Sequence, residues 1–335
     1  MIRLRAPSRL HFGLLSLATE THWPNLNGDA IVPARRFGSV GLMVQHPGLC
    51  VTASASASWS ATGPLAERAL AYARRFIETL PPPLARPQRL HIEQAAPEHA
   101  GLGTGTQLGL TIARLLGHAY GLPRLDAVDL ARRVGRGQRS ALGIHGFAHG
   151  GFLIEGGRSE GEAIAPLITR IDFPTDWRVL LVLPAGETGL HGAAELAAFA
   201  RLKQPGQQPL ALTEALCRLA LLGLAPALRA RDLLAFGEAL YDFNARVGAA
   251  FAPAQGGIYA SSRLAEIVSF IRQQNVPGVG QSSWGPTLFA VVGDSAHAIH
   301  LANRLREQFA LTESEVIVAA ACNQGARVES SSAVS

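Results

Sequence analysis

The chain has 335 residues, of which 48% are hydrophobic and 16% are charged, and its net charge is +5. This length allows two domains with real cores, and this composition excludes a disordered protein. The positive charge permits nucleic-acid binding, but the arginines are scattered and only 6% of residues are aromatic, so no nucleic-acid partner is expected.

Neither a membrane span nor a targeting segment is expected. His11 and Gly13 interrupt the apolar residues near the start of the chain, and the later apolar run at 219–228 is short and contains Pro226. The three cysteines are far apart and odd in number, which argues against disulfides and against a thiolate zinc site. The sequence therefore predicts a cytoplasmic protein, and a homodimer is the default assembly.

Hydrophobic periodicity predicts alternating strands and helices in the first half of the chain. Strands are predicted at 1–7, 40–44, 49–53, 89–93 and 150–155. Helices are predicted at 63–80, at 107–120 and from Asp126, which is suited to cap a helix.

The pattern changes near residues 164–174, so a boundary is predicted near residue 165 between domains 1–165 and 166–330. In the second half, strands are predicted at 177–183, 287–292 and 315–321. Helices are predicted at 191–201, 209–223, 230–247, 261–274 and 295–308. Residues 329–335 have the composition of a polar tail. The prediction is an α/β fold in two domains.

The most informative segment is the loop Pro97-Glu98-His99-Ala100-Gly101-Leu102-Gly103-Thr104-Gly105-Thr106-Gln107. Glycines let the backbone approach an anion, threonine hydroxyls add donors, and the free N–H groups of the following helix point at the ligand. The loop lacks the lysine of a Walker motif and the third glycine of a dinucleotide fingerprint. It is therefore either a phosphate site of another class or an ordinary glycine-rich turn before a core helix.

Arginine must supply any cationic clamp on such a phosphate. Lys203 is the only lysine among the 30 Lys and Arg residues, and it lies in a polar linker. Guanidinium groups bind phosphate through paired hydrogen bonds, whereas lysine offers a point charge.

Three segments together resemble the motifs of the GHMP kinase superfamily: Ala6-Pro7-Ser8-Arg9-Leu10-His11-Phe12-Gly13-Leu14, the loop at 97–107, and Gly280-Gln281-Ser282-Ser283-Trp284-Gly285-Pro286-Thr287-Leu288-Phe289. More narrowly, the first and third segments, with residues 35–42, 139–147 and 150–152, resemble the β-ribofuranosylaminobenzene 5′-phosphate synthase family. The resemblance implies a two-domain, GHMP-kinase-like α+β fold.

It also implies an activity. That family joins 5-phosphoribosyl 1-diphosphate to the ring of a para-substituted benzoate, releasing pyrophosphate and carbon dioxide, in tetrahydromethanopterin biosynthesis. The expected partners are this donor and either 4-aminobenzoate or 4-hydroxybenzoate, and Mg²⁺ is the expected cofactor on the diphosphate. Two alternatives stay open: an ATP-dependent small-molecule kinase, and a non-catalytic protein that binds phosphate compounds.

One departure from the kinases argues against phosphoryl transfer. GHMP kinases usually carry a segment like Ser-Gly-Ile-Asp, whose aspartate acts with a lysine, and Leu142-Gly143-Ile144-His145 stands in its place. A histidine can accept a proton, but no lysine is available to support it.

The resemblance and the loop together give the expected site. The residues expected to bind substrate are Ser8, Arg9, Arg36, Ser39, Gly101, Gly103, Thr104, Gly105, Thr106, Gln107, Arg136, Arg139, Ser140, Phe147, Ser282, Ser283 and Trp284. His11 and His145 are the candidates for proton transfer. Glu98, or less favourably Asp29, is the carboxylate that could stabilise positive charge on the sugar. No metal ligands are assigned. His145 and His149 have the i, i+4 spacing of a zinc pair, but their segment contains too many glycines for a firm helix.

Overall fold

The computed structural model describes residues 1–16, 22–24, 30–33, 35–187, 189, 192–202 and 210–330. Asp29 and Lys203 lie outside these residues. Within them, two main sheets organise the chain, one of seven strands and one of four, beside a two-stranded ribbon. This arrangement confirms the α/β class.

The seven-stranded sheet contains β1 (Ile2–Leu14), β4 (Ser39–Ala55), β5 (Ser60–Thr62), β6 (Gln88–Gln94), β7 (Phe152–Glu155), β8 (Leu167–Ile171) and β13 (Arg327–Ser330). The four-stranded sheet contains β9 (Arg178–Val182), β10 (Val279–Gln281), β11 (Leu288–Val292) and β12 (Val316–Ala319). The ribbon pairs β2 (His22–Pro24) with β3 (Ala30–Pro33).

The helices of the first half are α1 (Ala66–Ile77), α2 (Thr104–Ala119), α3 (Ala127–Arg133) and α4 (Leu142–His149), with a 3₁₀ turn at Pro82–Leu84. Those of the second half are α5 (Gly192–Leu202), α6 (Leu210–Arg218), α7 (Ala225–Ala230), α8 (Leu233–Gln255), α9 (Ser262–Gln273) and α10 (Ser295–Phe309). A π-helical segment, Leu219–Leu224, joins α6 to α7.

Most predicted elements are confirmed within a few residues, and the differences follow from pairing. The predicted strands at 40–44 and 49–53 form one strand, β4, because it pairs with β1 over almost its whole length. The strand predicted at 1–7 continues to Leu14 for the same reason. Because of this extension, Arg9 and His11 lie on β1, in the part of the first sheet that approaches the second half of the chain.

The first sheet extends beyond the predicted boundary at residue 165. β8 follows that boundary but pairs with β7 in the first sheet. β13 returns from the end of the chain to pair with β1, so residues 329 and 330 belong to a strand and not to a tail. Long-range pairing of this kind leaves no local signal in the sequence.

The helix predicted at 107–120 is confirmed as α2, which begins at Thr104. Its leucines and Ile112 are fully buried in the core between the first sheet and α1, α3 and α4. Asp126 caps α3 as predicted, because its carboxylate accepts the N–H of Asp129 at 2.7 Å.

The expectation that residues 143–150 are too glycine-rich for a helix is wrong. They form α4, and its glycines allow close packing: an added Cβ on Gly146 would overlap Met43, and one on Gly143 would lie 3.3 Å from Thr106. His145 and His149 find no third ligand, since no group of three metal-binding side chains occurs among the described residues.

One helical run in the described chain, Ala211–Ala230, is long and apolar enough to cross a bilayer by length and composition alone. Its residues Leu216, Ala220, Leu224 and Leu228 are buried in the core formed with α8. Only 28% of its 18-residue window is buried, and a core helix of a soluble protein would satisfy the same criterion.

Candidate active site

The predicted phosphate loop ends in glycines that its backbone requires. Gly101 and Gly103 have φ angles of 84° and 71°, in the left-handed region that favours glycine, and Gly103 is the N-cap residue of α2. Thr104 turns its hydroxyl back to the carbonyl of Pro97 at 3.0 Å. The first N–H groups of α2 therefore face outward with no side-chain cap, which is the geometry that attracts an anion.

Three arginines converge on this helix end. A Cβ built on Gly103 would lie 3.0 Å from the Cβ of Arg9, and one built on Gly105 would overlap the guanidinium groups of both Arg68 and Arg136. With the loop they enclose a cavity of about 220 Å³, here called the anion cavity, which Glu98 and Glu195 also line. The guanidinium groups and the helix end together favour a multiply charged anion.

Two of these arginines have unsatisfied hydrogen-bonding groups. The Nε atoms of Arg9 and Arg136 are buried and find no partner. Burial lowers the pKa of Arg9 to about 10, and it also lowers the pKa of Arg136. With a pKa of about 10, the Arg9 guanidinium remains charged at neutral pH. The Nε atoms of Arg114, Arg170 and Arg306, outside both cavities, are unsatisfied in the same way, so it is the convergence of arginines on the helix end that points to an anionic ligand.

A Gly105→Ala variant tests the anion cavity without removing a charge. The methyl group should push Arg68 and Arg136 away from the helix end, raising the KM for an anionic substrate by about tenfold, which corresponds to about 1.4 kcal/mol. Thermal stability should hold or rise, because alanine favours a helix over glycine by about 0.5–1 kcal/mol. The matched control is Gly117→Ala, also in α2, where an added Cβ meets no atom closer than 3.9 Å. Equal KM values in both variants would contradict the assignment.

A larger cavity of about 350 Å³ adjoins the first and is here called the aromatic cavity. Trp284 stacks on Phe251 with ring centroids 4.5 Å apart, and its edge meets Phe199 at 5.5 Å. These three rings form an apolar wall suited to a planar aromatic ring. Trp284, which the sequence suggested as the wall for an aromatic ring, lines this cavity.

The two cavities share six lining residues: Arg9, Thr106, Arg136, Glu195, Ser283 and Trp284. A ligand with an anionic part and a partner with an aromatic ring can therefore meet at this junction. Two cavities joined in this way suit an enzyme whose two substrates react with each other.

Hydrogen bonds fasten the three sequence motifs together at the junction. The Ser282 hydroxyl donates to the Gly101 carbonyl at 2.7 Å and accepts the backbone N–H of His11 at 3.0 Å. The N–H of Ser283 donates to the carbonyl of His11 at 3.0 Å. Ser282 is fully buried, so it supports the site and does not reach the substrate, whereas Ser283 lines both cavities.

His11 lines the aromatic cavity, but its electrostatics make it a weak base. Its Nδ1 is buried and has no partner. Burial, with a further contribution from the Arg9 charge, holds the pKa of His11 well below its ordinary value. The imidazole is therefore neutral and can offer a hydrogen bond, but it accepts a full proton poorly.

Each of two carboxylates at the cavities is paired with an arginine. Glu195 accepts a 2.6 Å bond from Arg139, whose guanidinium also lies 4.3 Å from the centre of the Phe199 ring. Glu98 pairs with Arg68 and lines only the anion cavity. Glu195 lines both, so it is better placed than Glu98 to face the junction.

Several predicted site residues lie outside both cavities. Arg36 is exposed, and its backbone pairs with Arg158. His145 holds the carbonyl of Ala165 through Nε2 at 2.8 Å, and Phe147 is buried in the core beside Arg114. For His145 and Phe147, the sequence motif does not reveal which face of α4 meets the cavity. For Arg36, the motif does not reveal that its position before β4 is exposed.

Three further predicted residues are structural supports. Ser8 donates to the carbonyl of Pro47, and Gln107 donates to that of Gly143 at 2.8 Å. Ser39 is fully buried and bonds Ser140, which does line the aromatic cavity. Asp29 lies outside the described residues.

The sequence analysis missed Arg68, Glu195, Phe199 and Phe251. Arg68 lies on α1 and the other three on α5 and α8, in ordinary amphipathic patterns without a motif. Only the position of Arg68, on a predicted helix that precedes the loop, could have suggested a role for this residue.

Comparison with known proteins finds family models that match both halves of the chain. The family model for the GHMP kinases N terminal domain matches residues 65–151, and that for GHMP kinases C terminal matches residues 224–311. A β-ribofuranosylphenol 5′-phosphate synthase of Archaeoglobus fulgidus is 31% identical over 98% of this chain and 100% of its own length. One of Methanothermobacter thermautotrophicus is 29% identical over 87% of this chain and 88% of its own length.

Solved structures share the fold at lower identity. The chain superposes on homoserine kinase from Cytophaga hutchinsonii with a TM-score of 0.64 and 17% identity, covering 98% of this chain and 97% of that one. Mevalonate diphosphate decarboxylase from Staphylococcus aureus gives a TM-score of 0.63 and 12% identity, covering 98% and 99%. These similarities establish the fold alone.

Proposed function

Because the chain belongs to the β-ribofuranosylphenol 5′-phosphate synthase family, on the scaffold of the GHMP kinases, we propose that it condenses 5-phosphoribosyl 1-diphosphate with 4-hydroxybenzoate. The products are β-ribofuranosylphenol 5′-phosphate, pyrophosphate and carbon dioxide, and the pathway is that of tetrahydromethanopterin. We favour 4-hydroxybenzoate over 4-aminobenzoate because the relatives are named for a phenol product. A donor this highly charged does not cross membranes, which favours a cytoplasmic reaction.

The observation that carries the proposal is the junction of the anion and aromatic cavities. The diphosphate fits the anion cavity, where the end of α2 and three arginines provide donors. The benzoate ring fits against Trp284 and Phe251. The sugar carbon C1 would then lie at the junction, between the leaving group and the attacking ring.

The bond changes balance without an external oxidant. The bond from C1 to diphosphate breaks and its electron pair leaves with pyrophosphate. The ring carbon that bears the carboxylate supplies a pair to C1, while the ring hydroxyl gives up its proton. The bond to the carboxylate then breaks, carbon dioxide departs, and the pair restores the aromatic ring. The proton returns to the phenol oxygen.

Glu195 is the proposed electrostatic partner of C1. Positive charge develops there as pyrophosphate leaves, and a carboxylate at the junction stabilises it. Arg139 holds Glu195 in place by their 2.6 Å bond. In this proposal Glu195 takes the part that the sequence suggested for Glu98.

The residues of the anion cavity fit a Mg²⁺ ion that is bound mainly through the phosphate oxygens of the substrate. Mg²⁺ on phosphates is usually held by one or two protein carboxylates, with water and phosphate oxygens completing the shell. Glu98, which lines the anion cavity but not the junction, is the residue that would hold it. Bound there, the ion would neutralise charge on the leaving pyrophosphate.

The kinase alternative receives less support from the same residues. His145, which stands where kinases carry their aspartate, is occupied by the Ala165 carbonyl and does not line either cavity. Within the described part of the chain, every basic side chain at the cavities other than histidine is an arginine. Phosphoryl transfer needs several placed groups at once.

The proposal is tested by incubating the protein with 5-phosphoribosyl 1-diphosphate, Mg²⁺ and each benzoate in turn, followed by mass detection of the products. We expect the phenol riboside phosphate to form faster than its aniline counterpart. Unsubstituted benzoate is the control: it should not react, because its ring cannot spread the charge gained on attack. The absence of any aryl riboside phosphate with either para-substituted acceptor would overturn the proposal.

A further inference from the structure

A buried carboxylate, that of Glu155, stands behind the aromatic cavity and has no part in the chemistry proposed for the junction. Glu155 on β7 is fully buried, and the described structure gives it no ion pair with any cation. Its Oε1 accepts the Ser39 hydroxyl at 2.6 Å, and its Oε2 accepts the N–H of Gly157 at 2.8 Å. Such a group is costly to bury, so its retention calls for a reason.

The hydroxyls in front of Glu155 form a chain that reaches the cavity. The Ser39 and Ser140 hydroxyl oxygens are 2.7 Å apart, and Ser140 lines the aromatic cavity. Thus two serines connect the cavity to Glu155.

The hydrogens of this chain have a fixed direction when Glu155 is ionised. A carboxylate only accepts, so Ser39 donates to Glu155, and Ser140 then donates either to Ser39 or directly to Glu155. The Leu142 N–H already occupies one lone pair of the Ser140 oxygen at 3.1 Å. The other lone pair is left for a donor in the cavity, such as the hydroxyl of a bound phenol.

We propose that Ser140, Ser39 and Glu155 form a proton relay that takes the proton of the acceptor's ring hydroxyl during attack and returns it when the ring becomes aromatic again. The inference rests on the proposed function and deepens it. Ser140 is the catalytic residue because it would touch the substrate, whereas Ser39 and Glu155 act through it.

Each proton transfer in the relay conserves charge and atoms. The ring hydroxyl passes its proton to Ser140, Ser140 passes its own to Ser39, and Ser39 passes its own to Glu155, which becomes neutral. Loss of carbon dioxide makes the ring oxygen basic again, and the three transfers reverse. No oxidant, reductant or additional reactant is required.

The surroundings of Glu155 suit a temporary proton store. Burial raises the pKa of Glu155, with hydrogen bonds from Ser39 and Gly157 opposing that rise. Arg35, which contacts the segment after Glu155, is committed to the carbonyls of Gly156 and Gly157 and to Glu162. His11, by contrast, is held neutral beside Arg9 and accepts a proton poorly.

The test compares Ser140→Ala and Glu155→Gln with the wild type on two acceptors, 4-hydroxybenzoate and 3-fluoro-4-hydroxybenzoate. Fluorine makes the ring hydroxyl more acidic, so a larger share of this acceptor enters ionised and its reaction needs the relay less. On 4-hydroxybenzoate, kcat should fall about a hundredfold with little change in KM, as is typical for loss of a proton-transfer group. On the fluorinated acceptor, each variant should lose less than about tenfold relative to wild type.

Ratios to wild type on the same acceptor cancel the weaker nucleophilicity of the fluorinated ring. Thr111→Val is the control, because it removes another fully buried hydroxyl that lies outside both cavities. Ser140→Ala keeps the test valid if Glu155→Gln fails to fold, since Ser140 lies at the cavity surface. An equal loss on both acceptors would show a structural role and overturn the relay. A wild type inactive on both would instead overturn the proposed function.

Discussion

Replacement of Arg9 by methionine should cause a large loss of donor binding. Arg9 is the one arginine of the anion cavity contributed by the first motif, it lines both cavities, and its buried Nε lacks a protein partner. Loss of its charge-assisted hydrogen bonds should cost about 1.5–3 kcal/mol, or about tenfold to a hundredfold in donor affinity. Titration calorimetry with 5-phosphoribosyl 1-diphosphate measures this directly.

Arg5→Met is the matched control for Arg9→Met. Arg5 lies on the same strand, is half exposed and pairs with Glu329 away from the two cavities. Its loss should leave donor affinity unchanged. Arg9→Lys should recover only part of the affinity, since an ammonium cannot form the paired bonds of a guanidinium. Wild-type affinity in Arg9→Met would refute the placement of the diphosphate.

Glu195→Gln should have a comparably large effect, but on kcat. The carboxylate acts on charge that appears only as pyrophosphate leaves, and removal of one such stabilising group costs about a hundredfold to a thousandfold in kcat. Donor KM should change little, because the ground-state sugar carries no positive charge at C1. Steady-state kinetics at saturating benzoate separates the two constants.

Arg139→Met tests whether Glu195 acts through its charge at C1 or only through the ion pair that supports α5. This substitution also breaks the Arg139–Glu195 pair but leaves the carboxylate at the junction. It should lower kcat much less than Glu195→Gln. Equal effects of both substitutions, with no further loss in the double variant, would mean that the ion pair matters and that Glu195 has no role at C1.

Local chemistry explains which parts of the fold were predictable. The leucine pattern after Thr106 and the cap at Asp126 indicate α2 and α3 because periodicity and capping are local. β13 was missed because its pairing partner β1 lies at the other end of the chain. β8 pairs with the preceding strand β7, but only one of its five residues is buried, so it shows no clear alternation. Helix α4 was missed because its glycines are selected by contact with Met43 and Thr106, which sequence alone does not reveal.

The residues of the site divide in the same way, into those with a local signal in the sequence and those without one. Gly101 and Gly103 were predictable because backbone geometry at a helix end demands such residues. Gly105 lies inside α2, where the close approach of Arg68 and Arg136 leaves no room for a Cβ. Arg68 and Glu195 were not, because they reach the cavities from helices without a motif. His145 and Arg36 were expected at the site because their motifs match a family, yet their side chains lie outside both cavities.

The most direct test of the central claim is the stoichiometry of a single reaction. The protein is incubated with 5-phosphoribosyl 1-diphosphate, Mg²⁺, ATP and 4-hydroxybenzoate labelled at its carboxyl carbon, while carbon dioxide, pyrophosphate and ADP are followed together. Carbon dioxide and pyrophosphate should appear in equal amounts and ATP should remain intact. ADP formation with phosphate transfer to an alcohol, or pyrophosphate release without carbon dioxide, would contradict the account.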